Sequence, residues 1–596
     1  MSALPAFFRG RAARTISDVI VDTLLDWGVD TVFGLPGDGI NGVFEALRQK
    51  ADQIHFIQVR HEEAAAFMAA AHFKYTGKLG VCIATSGPGA IHLLNGLYDA
   101  KLDDAAVLAI TGQTYSDLKG SHYQQEVNLI QLFSDVAGYN EVIENAGQAE
   151  MVTDLACRHA ISQGTVAHIN IPVDVQDLPP KEKPSMMKPV LSHTSAARTH
   201  YITVPCESDL QHAADILNKG KRIAILAGKG AVGAREELIA AGERLSAPIV
   251  KALLGKAAIP DAHPLNAGGL GLIGTAPAQD AMEECDTLFL IGTTFPYMAW
   301  LPEKQRVPAV QLDIRPERIG LRFPVQAGLV GDCAATLRAL QPMLKRHADR
   351  GLLKKTQKRM KDWNDLMRLR GTDFKRPMRP EVVARTLSEL APRDAVISCD
   401  CGTVTTWLSR QFNIRGDQKW GLAGNLATMA PGLPYAVSAA VAFPRRKSIA
   451  FVGDGAFTML MGEFITAVKY QLPITVVLIK NNTLGQIKWE QMVFLGNPEY
   501  QCALQPMDFA AFARACGGLG FTVEDPAQLR GVLRQALESN KPTLVECITD
   551  PFEPPMPAKA TLKQSVSLAE SLARGEPNRG RIALTIFRDK VKDLEG

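Results

Sequence analysis

The sequence contains no apolar run near the roughly 20 residues that a membrane-spanning helix needs. It also lacks a marked excess of charge: 65 lysines and arginines face 62 aspartates and glutamates, a net +3. That balance is too small to argue for nucleic acid, and no RNA- or DNA-binding motif accompanies it. The ten cysteines are scattered, and their one close pair, Cys399-Asp400-Cys401, lacks zinc-finger spacing. Reduced thiols and a cytoplasmic setting are therefore expected. At the N-terminus a short apolar patch precedes arginines, the wrong order for a secretion signal, and the segment reads as a frayed end.

What is present is an ordinary globular composition, 46% hydrophobic and 21% charged over 596 residues, enough for several domains. Three blocks alternate helical periodicity with short Val/Ile/Ala runs. The first holds VCIAT (81–85), AVLAITG (106–112) and VAHINIPVD (166–174). A Pro/Lys/Ser-rich linker over 176–200 follows. The second block holds RIAILA (222–227), TLFLIG (287–292) and AVQLDI (309–314). A basic helical segment, 353–370, leads to the third, with AVISCD (395–400), SIAFVGD (448–454), ITVVLIKN (474–481) and TLVECI (543–548). Such runs predict α/β architecture: three doubly wound parallel-sheet domains over 1–185, 200–345 and 375–555, then a tail, 556–596. Blocks one and three share a strand, glycine turn, helix, strand rhythm, which hints at duplicated architecture.

The stretch AFVGDGAFTML (450–460) pins an acid between glycines directly after a strand. Asp454 ends one strand and Asn481-Asn482 follows the next, with a single crossover helix expected between them. A right-handed crossover brings such strand ends side by side. One carboxylate and one amide oxygen there suit magnesium, which takes further oxygens from phosphate. The adjacent helix start offers N–H groups for that phosphate, and Gly455 admits close backbone approach. A plain helix cap beside a chance Asn pair is the bland alternative, made unlikely by the 27-residue strand–helix–strand spacing.

GDG, a helix, then NN resembles the signature of thiamine diphosphate enzymes. The resemblance covers about residues 15–555 and is closest to the pyruvate oxidase and quinone-dependent pyruvate dehydrogenase branch, with acetolactate synthase a step further. It implies a pyrimidine-binding first domain, a flavin-type middle domain and a diphosphate-binding third domain. It also implies Mg²⁺ held by Asp454, Asn481 and the carbonyl of Thr483, with Gly453, Gly455 and Ala456 against the diphosphate. Glu62, in VRHEEAAAF, takes the position of the glutamate that drives cofactor tautomerisation; on spacing alone it is a helix-start carboxylate. Gly87 lies in a matching glycine turn, and GNLATMAPGLP (424–434) matches the stretch that bends the cofactor, with the Ala427 carbonyl and Met429 facing it.

In the middle block Gly228-x-Gly230-x-x-Gly233 lacks the acidic partner of a conventional dinucleotide site. The block instead resembles the family's FAD-binding domain through Gly228, Gly271, Gly274, Thr293, Thr294, Phe295, Asp313 and Asp332, with Asp313 on the ribose. Gln124 and Gln486 stand where the oxidases carry aromatics, whereas Glu490 matches the oxidases; all three are expected near substrate.

The expectation is thus thiamine- and flavin-dependent decarboxylation of a 2-oxo acid, pyruvate first, with electrons passed to quinone or another acceptor. A non-redox acetolactate synthase-like carboligase or lyase, with flavin structural or absent, is the alternative. A catalytically silent cofactor-binding subunit is opposed by the intact Glu62, Asp454 and Asn481. The family forms homodimers or homotetramers with active sites shared between chains. Its quinone-dependent members bind lipid through the tail; here acids nearly cancel the tail's basic residues, so docking on the body is favoured over peripheral membrane contact.

Overall fold

Runs of Val, Ile, Leu and Ala buried on both faces pair as parallel strands and need helical crossovers between them. The computed structural model of this chain, which describes residues 14–181, 196, 201–303, 307–559 and 562–595, contains three such sheets. Strands β1 (Thr31–Gly34), β2 (His55–Gln58), β3 (Gly80–Ala84), β4 (Val107–Gln113), β5 (Ala137–Val142) and β6 (Val166–Pro172) form the first, in the order β2-β1-β3-β4-β6-β5. The second comprises β7 (Ile223–Ala227), β8 (Ile249–Lys251), β9 (Asn266–Gly269), β10 (Thr287–Ile291), β11 (Ala309–Asp313) and β12 (Ala327–Val330), ordered β12-β11-β10-β7-β8-β9. The third comprises β13 (Val396–Cys399), β14 (Lys419–Gly421), β15 (Ser448–Gly453), β16 (Thr475–Lys480), β17 (Leu519–Val523) and β18 (Thr543–Ile548), ordered β14-β13-β15-β16-β18-β17.

By its contacts the chain divides into two units. The first gathers residues up to 199 with 425–443 and 460–470; the second holds 200–424, 444–459 and 471–596. In the first unit Ile16, Ile20 and Leu24 of the helix Ile16–Asp26 pack on Val81, Leu108 and Ile169 of the sheet. The helix Glu62–Thr76 lies in contact with the helices Leu94–Leu102 and Gly432–Ala442. Its alanines at 64–66 and 69–71 are all fully buried, which lets three backbones approach closely.

In the second unit the helices Arg235–Leu245 and Cys333–Leu340 cover the middle sheet through Leu238, Leu245 and Leu337. The third sheet buries Ile449, Phe451, Val477 and Val545 against Val383, Leu387 and Leu408. The tail forms helices Leu562–Ala573 and Arg579–Glu595. Leu568 and Ile582 are buried with Trp489, Met492 and Val493, so the tail does pack on the body of its unit. The pattern is not wholly inward, however: Leu584 and Phe587 are exposed. The side chains of Arg588, Lys590, Val591, Lys592 and Leu594 lie outside the described residues.

One expected element is corrected. The crossover between β15 and β16 is two helices, Asp454–Leu460 and Glu463–Lys469, not one. The chain turns at Met461-Gly462, where the N–H of Phe464 bonds back to the Met461 carbonyl. This break starts a new helix at Glu463, whose carboxylate is used elsewhere.

Candidate active site

In the first unit Glu62 opens its helix, directly after β2 and the N-cap His61, whose ring accepts from the Glu63 N–H at 3.2 Å. Glu62 is only 6% exposed and is the first residue of its helix, where the dipole favours an anion. Its Oε2 lies 2.9 Å from His92 Nδ1, and the His92 ring stacks on His61 with centroids 4.4 Å apart. Its Oε1 lies beside Gly89, where an added Cβ would sit at 3.2 Å. Gly87 carries φ +56, and a Cβ there would strike Gln125 at 2.9 Å. That neighbour, itself at φ +62, holds Ser86 Oγ at 2.9 Å through its side-chain oxygen. The predicted Gln124 is exposed.

Among the described residues, His61, Glu62 and His92 are the one group of three or more His, Cys, Asp or Glu side chains close enough to share an ion. The Nδ1 of His61 is spent on the helix cap and the two rings are stacked, so the group reads as a carboxylate held by histidine, not as a metal centre.

Just upstream, the turn leading to Glu62 is tied down. Glu463 Oε1 accepts the N–H of Arg60 at 2.8 Å and of His61 at 3.1 Å, and Oε2 accepts from Thr466 at 2.7 Å. Glu463 is 1% exposed, and burial pushes its carboxyl up to about 6. The first unit also holds the segment with Ala427, exposed, and Met429, half-buried. Both Ala427 and Ala430 carry positive φ, +56 and +89.

In the second unit Asp454 follows β15 and Asn481 follows β16, at adjacent ends of paired strands. Asp454 Oδ2 accepts the N–H groups of Asn481 at 3.1 Å and Asn482 at 2.6 Å, and Oδ1 that of Gly455 at 2.9 Å. Burial raises its carboxyl above the usual range. Asn481 Oδ1 accepts the Thr483 N–H at 3.1 Å, and Asn482 adopts φ +54 to make the turn. The side-chain oxygens at these strand ends are a carboxylate and an amide, and the Thr483 carbonyl two residues on accepts the Gly485 N–H at 2.8 Å. That set fits a hard cation such as Mg²⁺. Gly453 and the buried Ala456 flank it with little or no side chain of their own. Further along, Gln486 Nε2 donates to Glu490 Oε1 at 3.0 Å, next to the π-helical turn Glu490–Phe494.

The middle sheet reverses its strand order between β7 and β10, and ligands in open α/β sheets bind at such a point. Gly228 ends β7, and a Cβ on it would lie 2.3 Å from the Gly292 carbonyl and 2.5 Å from Thr293 Cβ. Thr293 Oγ1 accepts the N–H of the buried Phe295 at 3.2 Å; Thr294 is half-buried. The Phe295 ring lies over Gly271, which has φ +99, while Gly274 packs on the Gly269 backbone. Asp313 sits 3% exposed at the end of β11 and accepts from the Arg315 N–H at 3.0 Å. Asp332 has a plain structural duty: it caps the helix Cys333–Leu340 through the Ala335 N–H at 2.8 Å.

Three family descriptions match the chain in order: the thiamine pyrophosphate enzyme N-terminal TPP binding domain over 14–132, the central domain over 210–340 and the C-terminal TPP binding domain over 400–547. The chain belongs to the thiamine pyrophosphate enzyme family. Among its relatives, a Bacillus subtilis protein named as containing thiamine pyrophosphate, YdaP, is 42% identical over 98% of this chain and 100% of its own length. Pyruvate oxidase of Lactiplantibacillus plantarum is 30% identical, covering 93% and 91%. The large subunit of Escherichia coli acetolactate synthase isozyme 3 is 27% identical, covering 90% and 95%. The protein is thus a thiamine diphosphate enzyme of the group that holds both pyruvate oxidase and acetolactate synthase.

Within this thiamine enzyme, sequence reading missed several residues. His92 sits 30 positions from Glu62, and Glu463 about 400, so no local pattern links them to it. Gln125 carries no sequence signal beyond the loop it shares with Gln124. Among the described residues no helix is long and apolar enough to cross a membrane.

Proposed function

We propose that this enzyme decarboxylates a 2-oxo acid oxidatively, with pyruvate the first candidate, using FAD in its middle domain and passing electrons to quinone or another acceptor. The observation that carries the flavin reading is the middle sheet's reversal point, where Gly228, Gly292 and the buried Asp313 meet the strand ends. The division into pyrimidine-binding (1–185), middle (200–345) and diphosphate (375–555) domains is part of this reading, as is a homodimer or homotetramer with shared active sites.

Asp454, Asn481 and the Thr483 carbonyl would hold Mg²⁺ and through it the diphosphate. When bound, thiamine diphosphate supplies a stabilised carbanion centre and FAD a two-electron acceptor. Glu62 holds or moves the proton at Oε1, while His92 fixes Oε2 and, with its side chain 44% exposed, connects the carboxylate to solvent. Glu463 fixes the backbone ahead of Glu62, so the base keeps its place without using its own oxygens. Gln486, oriented by Glu490, offers an amide to a polar substrate group.

Gln486, like Gln124, stands in place of an oxidase aromatic and favours a second reading, a non-redox carboligase or lyase of the acetolactate synthase kind, whereas Glu490 favours the first. An anaerobic spectrum of the thiamine- and magnesium-loaded protein before and after pyruvate separates the two. A flavin band that bleaches supports oxidation. A band that stays oxidised, or none, rejects oxidation of pyruvate and turns the search to acetolactate-type products and more polar 2-oxo acids.

A further inference from the structure

Within the first unit, two alanines in left-handed backbone, Ala427 at φ +56 and Ala430 at φ +89, lie in one short loop before the helix Gly432–Ala442. Residues with a Cβ pay for that conformation, and it persists only where the surroundings over-determine it. The surroundings here are a buried polar cluster. Asp103 Oδ1 accepts both the Asn425 N–H at 3.0 Å and Asn425 Nδ2 at 2.8 Å; the same Nδ2 reaches the Leu102 carbonyl at 3.0 Å. The other oxygen of Asp103 receives Lys74 Nζ at 2.7 Å, and that ammonium also bonds Asp99 at 2.9 Å. Lys74 further donates to the Tyr435 hydroxyl at 2.6 Å, and Tyr435 in turn donates to Asp99. Tyr435 lies on the helix that follows the loop, so one cluster grips the loop at both ends.

The middle of the loop has its own tie. Asn95 Nδ2 donates to Thr428 Oγ1 at 3.1 Å and to Glu63 Oε1 at 2.7 Å, one residue after Glu62. Asp99 and Asp103 are 0% and 1% exposed. Two carboxylates are thus kept out of water around one ammonium, an arrangement whose desolvation exceeds what simple packing of helices requires. The loop they restrain leaves Ala427 exposed at its apex. A strained, over-restrained loop with an exposed apex is the form of a docking surface prepared in advance.

We propose that Asp103 and Asn425 are positioning residues that pre-shape the 425–430 loop for thiamine diphosphate and so set cofactor affinity. The inference rests on the reading that Ala427 and Met429 face the cofactor. If the docking conformer makes up only a fraction of the free population, the apparent dissociation constant rises by the inverse of that fraction.

The test uses the full-length apoprotein titrated with thiamine diphosphate at saturating Mg²⁺, read by intrinsic fluorescence, beside melting of the same apoproteins. Asn425→Ala removes one side of the clamp from an exposed position and leaves the Lys74–Asp99–Asp103 charges intact. Its dissociation constant should rise about tenfold, as a loop only about one-tenth populated requires. Its melting temperature should stay within about 2 °C, as for an ordinary surface change. Asn425→Asp, which sets a carboxylate against Asp103, should bind more weakly still. Affinity within about twofold of wild type, or a weakening matched by a melting loss above about 5 °C, overturns the proposal. Met429→Ala separates the two layers. If it leaves affinity unchanged, the loop does not meet the cofactor and the underlying reading fails. If it weakens binding while Asn425→Ala does not, only the clamp fails.

Discussion

Glu463 offers a perturbation whose sign and size follow from burial. The carboxyl is 1% exposed, and its titration moves from 4.5 up to about 6 because desolvation outweighs the hydrogen bonds from Thr466, Arg60 and His61. A shift of that size corresponds to about 2 kcal/mol of preference for the neutral form in the folded protein. The folded value lies above the unfolded one, so the contribution to stability is complete below pH 4.5 and is lost as pH rises through about 6. Glu463→Gln keeps an oxygen for the Arg60 and His61 N–H groups but never ionises. Relative to wild type it should therefore gain stability between pH 5 and pH 7.5, by up to about 2 kcal/mol, or about 2 °C in melting temperature for a chain this long. Melting both proteins across that range in one buffer series measures the difference directly. A gap that is flat with pH, or that shrinks as pH rises, would refute the reasoning.

Glu62→Gln should leave the melting temperature near wild type and cut turnover at least about a hundredfold, the usual cost of a lost proton-transfer group; a fully active variant would remove Glu62 from the mechanism. Asp454→Ala should purify without bound thiamine, and chelation should strip the cofactor from wild type in a manner Mg²⁺ reverses. Thiamine retained by the variant at wild-type levels would disprove the metal assignment. Truncation after residue 559 should uncover Trp489, Met492 and Val493, raising binding of a hydrophobic dye and lowering the melting point. Vesicle flotation should be equal with and without that tail, and flotation that depends on it would show lipid binding instead.

The parallel strands that sequence reading found are those whose runs are long and aliphatic, such as Val107–Gln113, Thr475–Lys480 and Thr543–Ile548. It did not single out Asn266–Gly269 or Lys419–Gly421, which are short, lie at sheet edges and carry glycine or polar residues in place of β-branched ones. Asp454 and Asn481 were legible because one crossover separates them and topology fixes their strand ends as neighbours. The hydrogen bond between His92 and Glu62 and the grip of Glu463 on Arg60 were not, since each joins helix ends whose approach depends on packing. Asp332 shows a duty that the family resemblance does not convey: it caps the helix that follows it.

The first unit borrows residues 425–443 and 460–470 from a distant part of the chain. During synthesis, therefore, β1 to β6 emerge long before the helix Gly432–Ala442 that contacts Glu62–Thr76. At about 5–20 residues per second the wait is on the order of tens of seconds. Through that interval the nascent unit exposes a face built of small apolar residues and holds Lys74, Asp99 and Asp103 without Tyr435. The 425–430 loop can take its place only after the first two sheets have been made, so a chain interrupted before residue 425 leaves the first unit open, and the newborn protein's dependence on chaperones should be greatest in that window.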